Sequence, residues 1–215
     1  MGRKHYQTGV SPNRGGWGGG GGSTPTMMWA DRYFPASEFL PCTDITGAAA
    51  PTPIGYELAV SGGEVQGGSA LQFQPPGANI VRGLATWVAP FNFDNTDLPW
   101  MQLYFTVDQD GAIGDSRIDW WVGYYPFEDQ YVLDVTTPIF ADAGRNVLSP
   151  PAPTPSQRIY FSPEVQVTPS DPEGYLDPNL FWTIVVQRGG YAPIADDFTG
   201  NAMLLGMRLR YRLTI

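Results

Sequence analysis

The side chains that most enzymes recruit are scarce in this 215-residue chain, which has one histidine, His5, and one cysteine, Cys42. A Ser-His-Asp or Cys-His site needs an imidazole beside its nucleophile. His5 lies in a glycine-rich stretch at the start of the chain, so the body that follows has no such base. The same fact excludes histidine-based zinc or iron sites there. Cys42 has no histidine partner to activate it, and a lone cysteine closes no intrachain disulfide. Carboxylates are the remaining catalytic option, in the clusters Asp94/Asp97, Asp108/Asp110/Asp115 and Asp196-Asp197. A glycosidase needs two acids about 5–9.5 Å apart across a cleft, one with a raised pKa. Aspartates in the loops of an acidic chain are more simply turn residues whose carboxylates bond nearby backbone amides. Asp108-Gln-Asp110-Gly111 also fails the calcium-loop pattern, which wants glycine at position six and glutamate at twelve. The expectation is therefore no catalytic residue, no metal and no cofactor.

Binding is the chemistry that remains. Arg208, Arg210 and Arg212 alternate along one strand face, where like charges repel unless acids lie across the ladder. Two readings stand: an outer face answered by Asp or Glu of a neighbouring strand, or a subunit interface whose guanidinium forks take carboxylates of the next protomer. Aromatics form a second group: Trp87, Trp100, Trp120-Trp121, Tyr124-Tyr125, Phe181 and Trp182. Adjacent aromatics on a strand send one ring to each face. Most would fill a core, and the rest would serve sugar stacking or a subunit interface, where aromatics are enriched.

The elements that must carry these residues are strands. Hydrophobic residues make up 42% of the chain and charged ones only 15%, against about 25% charged in ordinary usage. With 26 glycines and 21 prolines, helices are disfavoured and short strands joined by turns are favoured. Strand signals recur near 56–60, 69–74, 79–89, 100–108, 116–125, 157–167, 180–188 and 202–214. The last is the clearest, with Met203, Leu205, Met207, Leu209, Tyr211, Leu213 and Ile215 at a period of two. Asp108 to Gly114 reads as a hairpin turn. Eight strands with long proline-punctuated connections predict an all-β jelly-roll sandwich rather than an up-and-down barrel. The long loops 126–156 and 168–179 are expected to carry contact surfaces.

Ahead of this body, residues 1–55 read as an extended arm and connector, leaving 56–215 as the sandwich domain. The run Gly15-Gly16-Trp17-Gly18 to Gly22 is too poor in side chains to offset its own ordering entropy. Arg3, Lys4 and Arg14 make residues 1–30 about +3, so the remainder carries about −12 of the formal net charge of −9. That asymmetry predicts an arm whose partner differs from the body's. Its candidate partner-binding residues are Arg3, Lys4, Tyr6, Val10, Arg14 and Trp17, continued in the connector by Trp29, Tyr33 and Phe34. The acidic total argues against nucleic acid. No stretch approaches a membrane span, and the N-terminus lacks the apolar run of a secretory signal.

Two stretches resemble a known family. One runs from Leu103-Tyr-Phe-Thr-Val-Asp-Gln-Asp-Gly through Arg117-Ile-Asp-Trp-Trp-Val-Gly-Tyr124, a strand, a Gly-Asp turn and a tryptophan-bearing strand. The other joins Val186-Gln-Arg188 to Asp196-Asp-Phe-Thr-Gly200 and Ala202-Met-Leu-Leu-Gly206-Met-Arg-Leu-Arg-Tyr211. Together they are similar to the jelly-roll virion proteins of tailed bacteriophages, which serve as head decorations, head fibres or tail-fibre heads. The likeness spans roughly residues 80–215. It departs from the family in the Arg117-Ile118-Asp119 run and does not extend to the glycine arm.

The resemblance implies a homotrimeric virion component, made in a host cytoplasm and carried on the capsid exterior. On that reading the chain is a decoration (cement) protein bound to the major capsid protein. The alternative is a receptor-binding or carbohydrate-binding head on a tail fibre, using Tyr125, Phe127, Tyr131 or Tyr191.

Overall fold

The computed structural model describes residues 26–43, 50–59, 65–75, 81–94, 96–110, 117–127, 146–148, 158–167, 181–189 and 196–215. Among them lie twelve strands: β1 Met27–Pro35, β2 Leu40–Thr43, β3 Thr52–Ala59, β4 Val65–Phe73, β5 Val81–Val88, β6 Trp100–Val107, β7 Trp120–Phe127, β8 Asn146–Leu148, β9 Tyr160–Phe161, β10 Val165–Gln166, β11 Phe181–Arg188 and β12 Ala202–Thr214. One 3-10 turn, Ala36–Glu38, is the only helical piece among the described residues. The fold is all-β, a sandwich-like arrangement of curled antiparallel sheets.

The larger sheet runs β10-β6-β12-β4-β3, with β1 also on β12 and β9 also on β6. The smaller runs β2-β5-β11-β7-β8. The period of two is plainest on β6, whereas residues 182–188 of β11 are buried on both faces. On β6, Met101, Leu103, Phe105 and Val107 are buried while Trp100, Gln102, Tyr104 and Thr106 face outward. Trp182, Ile184 and Val186 of β11 and Trp120 and Val122 of β7 supply the other half of the core.

The expected strands are all represented, but among the described residues strand structure is already present from Met27, well ahead of 56. The connector expected to lie outside the body contributes β1, β2 and β3, and Phe34, Ala36 and Phe39 are in the core. Phe34 is 0% exposed. It was expected among the partner-binding residues, yet the alternation of β1 turns it inward, where its ring meets Phe39 edge-on at 6.5 Å.

The simple alternation expected for residues 203–215 also needs correcting. A bulge between Leu204 and Gly206 shifts the register of β12 on β6, and a bulge moves later side chains to the opposite face. Ala202 and Leu204 are therefore inward before it, and Met207 and Leu209 after it. Gly206 is required there for close approach: a Cβ would run into the Tyr33 ring and the Phe34 carbonyl oxygen. The bulge also divides one edge of β12 between two partners, β4 at residues 202–204 and β1 at residues 206–214.

Beyond the end of β6 the loop before it takes over the ladder. Phe93 bridges Leu213, the Asp94 amide donates to the Arg212 carbonyl at 2.9 Å, and the Thr214 amide donates to the Asn92 carbonyl at 2.8 Å. Asp94 holds this loop by accepting from the Thr96 hydroxyl at 2.6 Å and the Thr96 amide at 3.0 Å. The hydroxyl bond is the main reason its carboxyl sits below the ordinary carboxylate range. Burial opposes the shift, while the Thr96 amide and the Arg212 charge add to it. A carboxyl depressed on folding stabilises above its unfolded pKa, and that contribution is lost as pH falls through the lower folded value. Asp94→Asn is thus expected to cost about 1 kcal/mol at pH 7. It should also flatten the loss of stability below about pH 4, as followed by urea melts across the acid range; an unchanged acid limb would contradict this.

Candidate functional site

The outward face of the larger sheet brings together the charged and aromatic residues singled out from the sequence. Register places them side by side. Asp31 of β1 stands opposite Arg210 of β12, which stands opposite Trp100 of β6. Tyr33, Arg208 and Gln102 form the next row, and Trp29 is opposite Arg212.

The arginine row is answered within the chain, which favours the first of the two readings above. Arg208 pairs with Glu164 and donates to the Gln102 side-chain oxygen at 2.9 Å. Arg210 reaches Asp31 through Nε at 3.1 Å and Glu164 through Nη1 at 3.4 Å. Its guanidinium is held above the ordinary arginine range, first by the hydrogen bond to Asp31 and then by the Asp31 and Glu164 charges. Arg212 pairs with Asp97 at 3.1 Å and lies 3.6 Å from the second Asp94 oxygen. The subunit-interface role expected of Arg208, Arg210 and Arg212 is therefore not needed to balance their charge; local carboxylates do so.

Trp29, Asp31, Trp100, Glu164 and Arg210 line a hollow of about 480 Å³ on this face. Trp29 is 49% exposed, and the Arg212 guanidinium lies 5.7 Å from its ring centroid. An aromatic band borders the charged rows. Tyr33 packs edge-on to Tyr104 at 5.5 Å, and Tyr104 packs edge-on to Phe161 at 5.0 Å. Phe161 is 60% exposed. Burial pushes the Tyr33 hydroxyl above its usual range, with Tyr56 and Tyr104 adding to the effect. That hydroxyl donates to the Leu205 carbonyl at the bulge, at 3.4 Å.

Of the carboxylates weighed for hydrolysis, Asp94 and Asp97 are held on Arg212 as above, Asp115 lies outside the described residues, and Asp108, Asp196 and Asp197 are engaged elsewhere. Asp196 forms a fully buried pair with Arg188, Nε to Oδ2 at 2.8 Å and Nη2 to Oδ1 at 3.0 Å. The Arg188 guanidinium also donates to the carbonyls of Phe73 at 3.2 Å, Gly200 at 2.7 Å and Phe198 at 2.7 Å. Asp197 accepts from the Arg117 amide. Asp108 accepts from the Asn201 amide at 2.9 Å and its side-chain nitrogen at 2.6 Å, which makes it a turn brace. Among the described residues no group of three or more His, Cys, Asp or Glu side chains is placed to hold a metal ion. No helix among them is long and apolar enough to cross a membrane.

Arg3, Lys4, Tyr6, Val10, Arg14 and Trp17 lie outside the described residues, as do Tyr131, Tyr191 and most of the loops expected to carry contacts. Of the connector residues, Trp29 and Tyr33 are on the open face and Phe34 is beneath it. Sequence reasoning missed Asp31, Glu164 and Gln102 as neighbours of the arginine row. Asp31 had no clean signal, since Arg32 interrupts the alternation of β1, and Glu164, between two very short strands, had none either. No family model matches the chain, and no curated protein matches it.

Proposed function

We propose that this chain is a non-catalytic structural protein of a tailed bacteriophage virion, a capsid decoration (cement) protein with a jelly-roll body. The observation that carries the reading is the strand order. Take β4 to β8, β9 with β10 as one, then β11 and β12, and number them one to eight. The sheets then run 1-8-3-6 and 2-7-4-5. Such an order supports a jelly roll built of two Greek keys, an architecture common to viral capsid and lectin domains. β1, β2 and β3 are additions to it.

Fold alone does not dictate function, so the location rests on charge and sequence. A body of about −12 carries an N-terminal segment of about +3 that is rich in glycine. Glycine brings no steric bulk, so such a segment can thread between shell subunits and gain affinity on ordering. Copies joined as a trimer would add avidity by raising effective concentration. The segment enters the body through β1, whose only described partner strand is β12.

Removing residues 1–26 tests this directly. The truncated chain is expected to keep its thermal midpoint and its oligomeric state while losing co-sedimentation with purified major-capsid shells. Undiminished addition to shells by the truncated chain would refute the proposal.

A further inference from the structure

We infer that the hollow on the open face of the larger sheet is a saccharide-binding site for neutral hexopyranose chains. This goes beyond the decoration role and is independent of it.

The lining has the composition that such a ligand requires. Trp29 and Trp100 belong to strands on either side of β12, with Arg210 between them. Indole faces pack against the apolar C–H face of a pyranose ring, and aromatic stacking adds to simple area burial. Between and beside the rings stand Asp31, Glu164 and Arg210, planar groups that accept from and donate to hydroxyls. The volume, about 480 Å³, falls within the roughly 300–1,000 Å³ of small-molecule sites.

Charge selects the ligand class. Arg210 is shared between Asp31 and Glu164, and Arg212 takes Asp97 and Asp94. The lining's two carboxylates and one guanidinium, with Arg208 also on Glu164, come close to neutral and already satisfy one another, so a free anion or cation gains little. The same pairs fix the orientation of these groups before a ligand arrives, which lowers the ordering cost of binding. A second protein copy fits less well, because the centre of a subunit interface is depleted of charged residues, whereas this hollow has three among its five lining residues. Trp29 is half exposed and its indole is already oriented by Arg212.

Affinity electrophoresis of the full chain tests the inference, using native gels cast with dextran, laminarin, yeast mannan or galactomannan. At least one polymer is expected to retard the protein. Trp29→Ala should weaken that retardation about tenfold, Trp29→Phe should retain most of it, and Glu164→Gln should weaken it with only a small fall in thermal midpoint, since the Arg208 and Arg210 pairs it gives up are partly exposed. Absence of retardation in all four gels would overturn the inference, as would Trp29→Ala migrating like the parent chain. A loss of oligomer mass in Trp29→Ala, without saccharide retardation of the parent, would assign the face to a second copy and also overturn it. Addition to shells is a separate readout, so this site can fail while the decoration role stands, and the reverse.

Discussion

Arg188→Ala is expected to lower unfolding free energy by roughly 3–5 kcal/mol, the cost of stripping one partner from a buried ion pair. The structural reason is the completeness of the arrangement. The arginine uses Nε, Nη1 and Nη2 on one carboxylate and three carbonyls, and neither Arg188 nor Asp196 has a side chain open to solvent. Three separate parts of the chain meet there: the end of β4 at Phe73, the end of β11, and the loop at 196–200 that leads into β12. The Asp119 amide also donates to Asp196, at 3.3 Å, which ties in the approach to β7. Alanine at 188 would take the guanidinium from three carbonyls and leave the buried carboxylate without its counter-charge, held only by the Asp119 and Phe198 amides. Arg188→Lys should recover little, since an ammonium cannot reproduce the planar fork. Urea denaturation of the three proteins measures this, and a loss under about 1 kcal/mol for Arg188→Ala would contradict the role.

Trp182→Ala should cost a similar amount, about 3–5 kcal/mol, for a different reason. Trp182 and Trp87 are cross-strand partners on β11 and β5, with ring centroids 5.2 Å apart at 81°. Phe93 packs edge-on to both, at 5.8 Å and 5.6 Å, and Tyr211 of β12 leans on Trp87 at 5.0 Å. The cluster thus joins the smaller sheet to the last turn of the larger one. Removing its most buried ring opens a cavity that rigid β-strands cannot close. The near-ultraviolet circular dichroism of the folded protein should change along with the melting curve. A stable variant with an intact aromatic spectrum would show that the cluster is not what couples the sheets.

Much of this architecture was legible in the residues, and the misses have physical causes. Apolar runs bounded by turn residues marked β5, β6, β11 and β12 closely, because each puts apolar side chains in the core. β2 was hidden by Pro41 and the first half of β3 by Pro53, while the strand expected near 56–60 is the second half of β3. Both strands are sheet edges, where a missing N–H is tolerated. β1 was hidden because Arg32 interrupts its inward-facing series; its guanidinium instead reaches Glu38 and lies 5.1 Å from the Phe34 ring centroid. The expected strand at 157–167 is divided into β9 and β10. Between them Ser162 turns aside, its hydroxyl accepting from the Leu103 amide at 2.9 Å.

The charged face of the larger sheet was half legible. The alternating arginines announced themselves, but their acids come from β1, from between β9 and β10 and from the loop at 94–97, separations that no local pattern encodes. Arg188 and Asp196 were visible as parts of a family-like pattern, without any sign that they form one buried pin. The hollow between Trp29 and Trp100 depends on register across three strands. Spacing along the chain alone does not encode that.

The proposed role makes a spatial demand on the first 26 residues: they must leave β1 and run over the shell. Electron cryo-microscopy of capsid shells incubated with the full chain observes this. Continuous density from Met27 of each copy across neighbouring shell subunits, with the sandwich outside, is the predicted result. Sandwiches seated on the shell with the preceding segment touching no subunit, or shells left bare, would contradict the account.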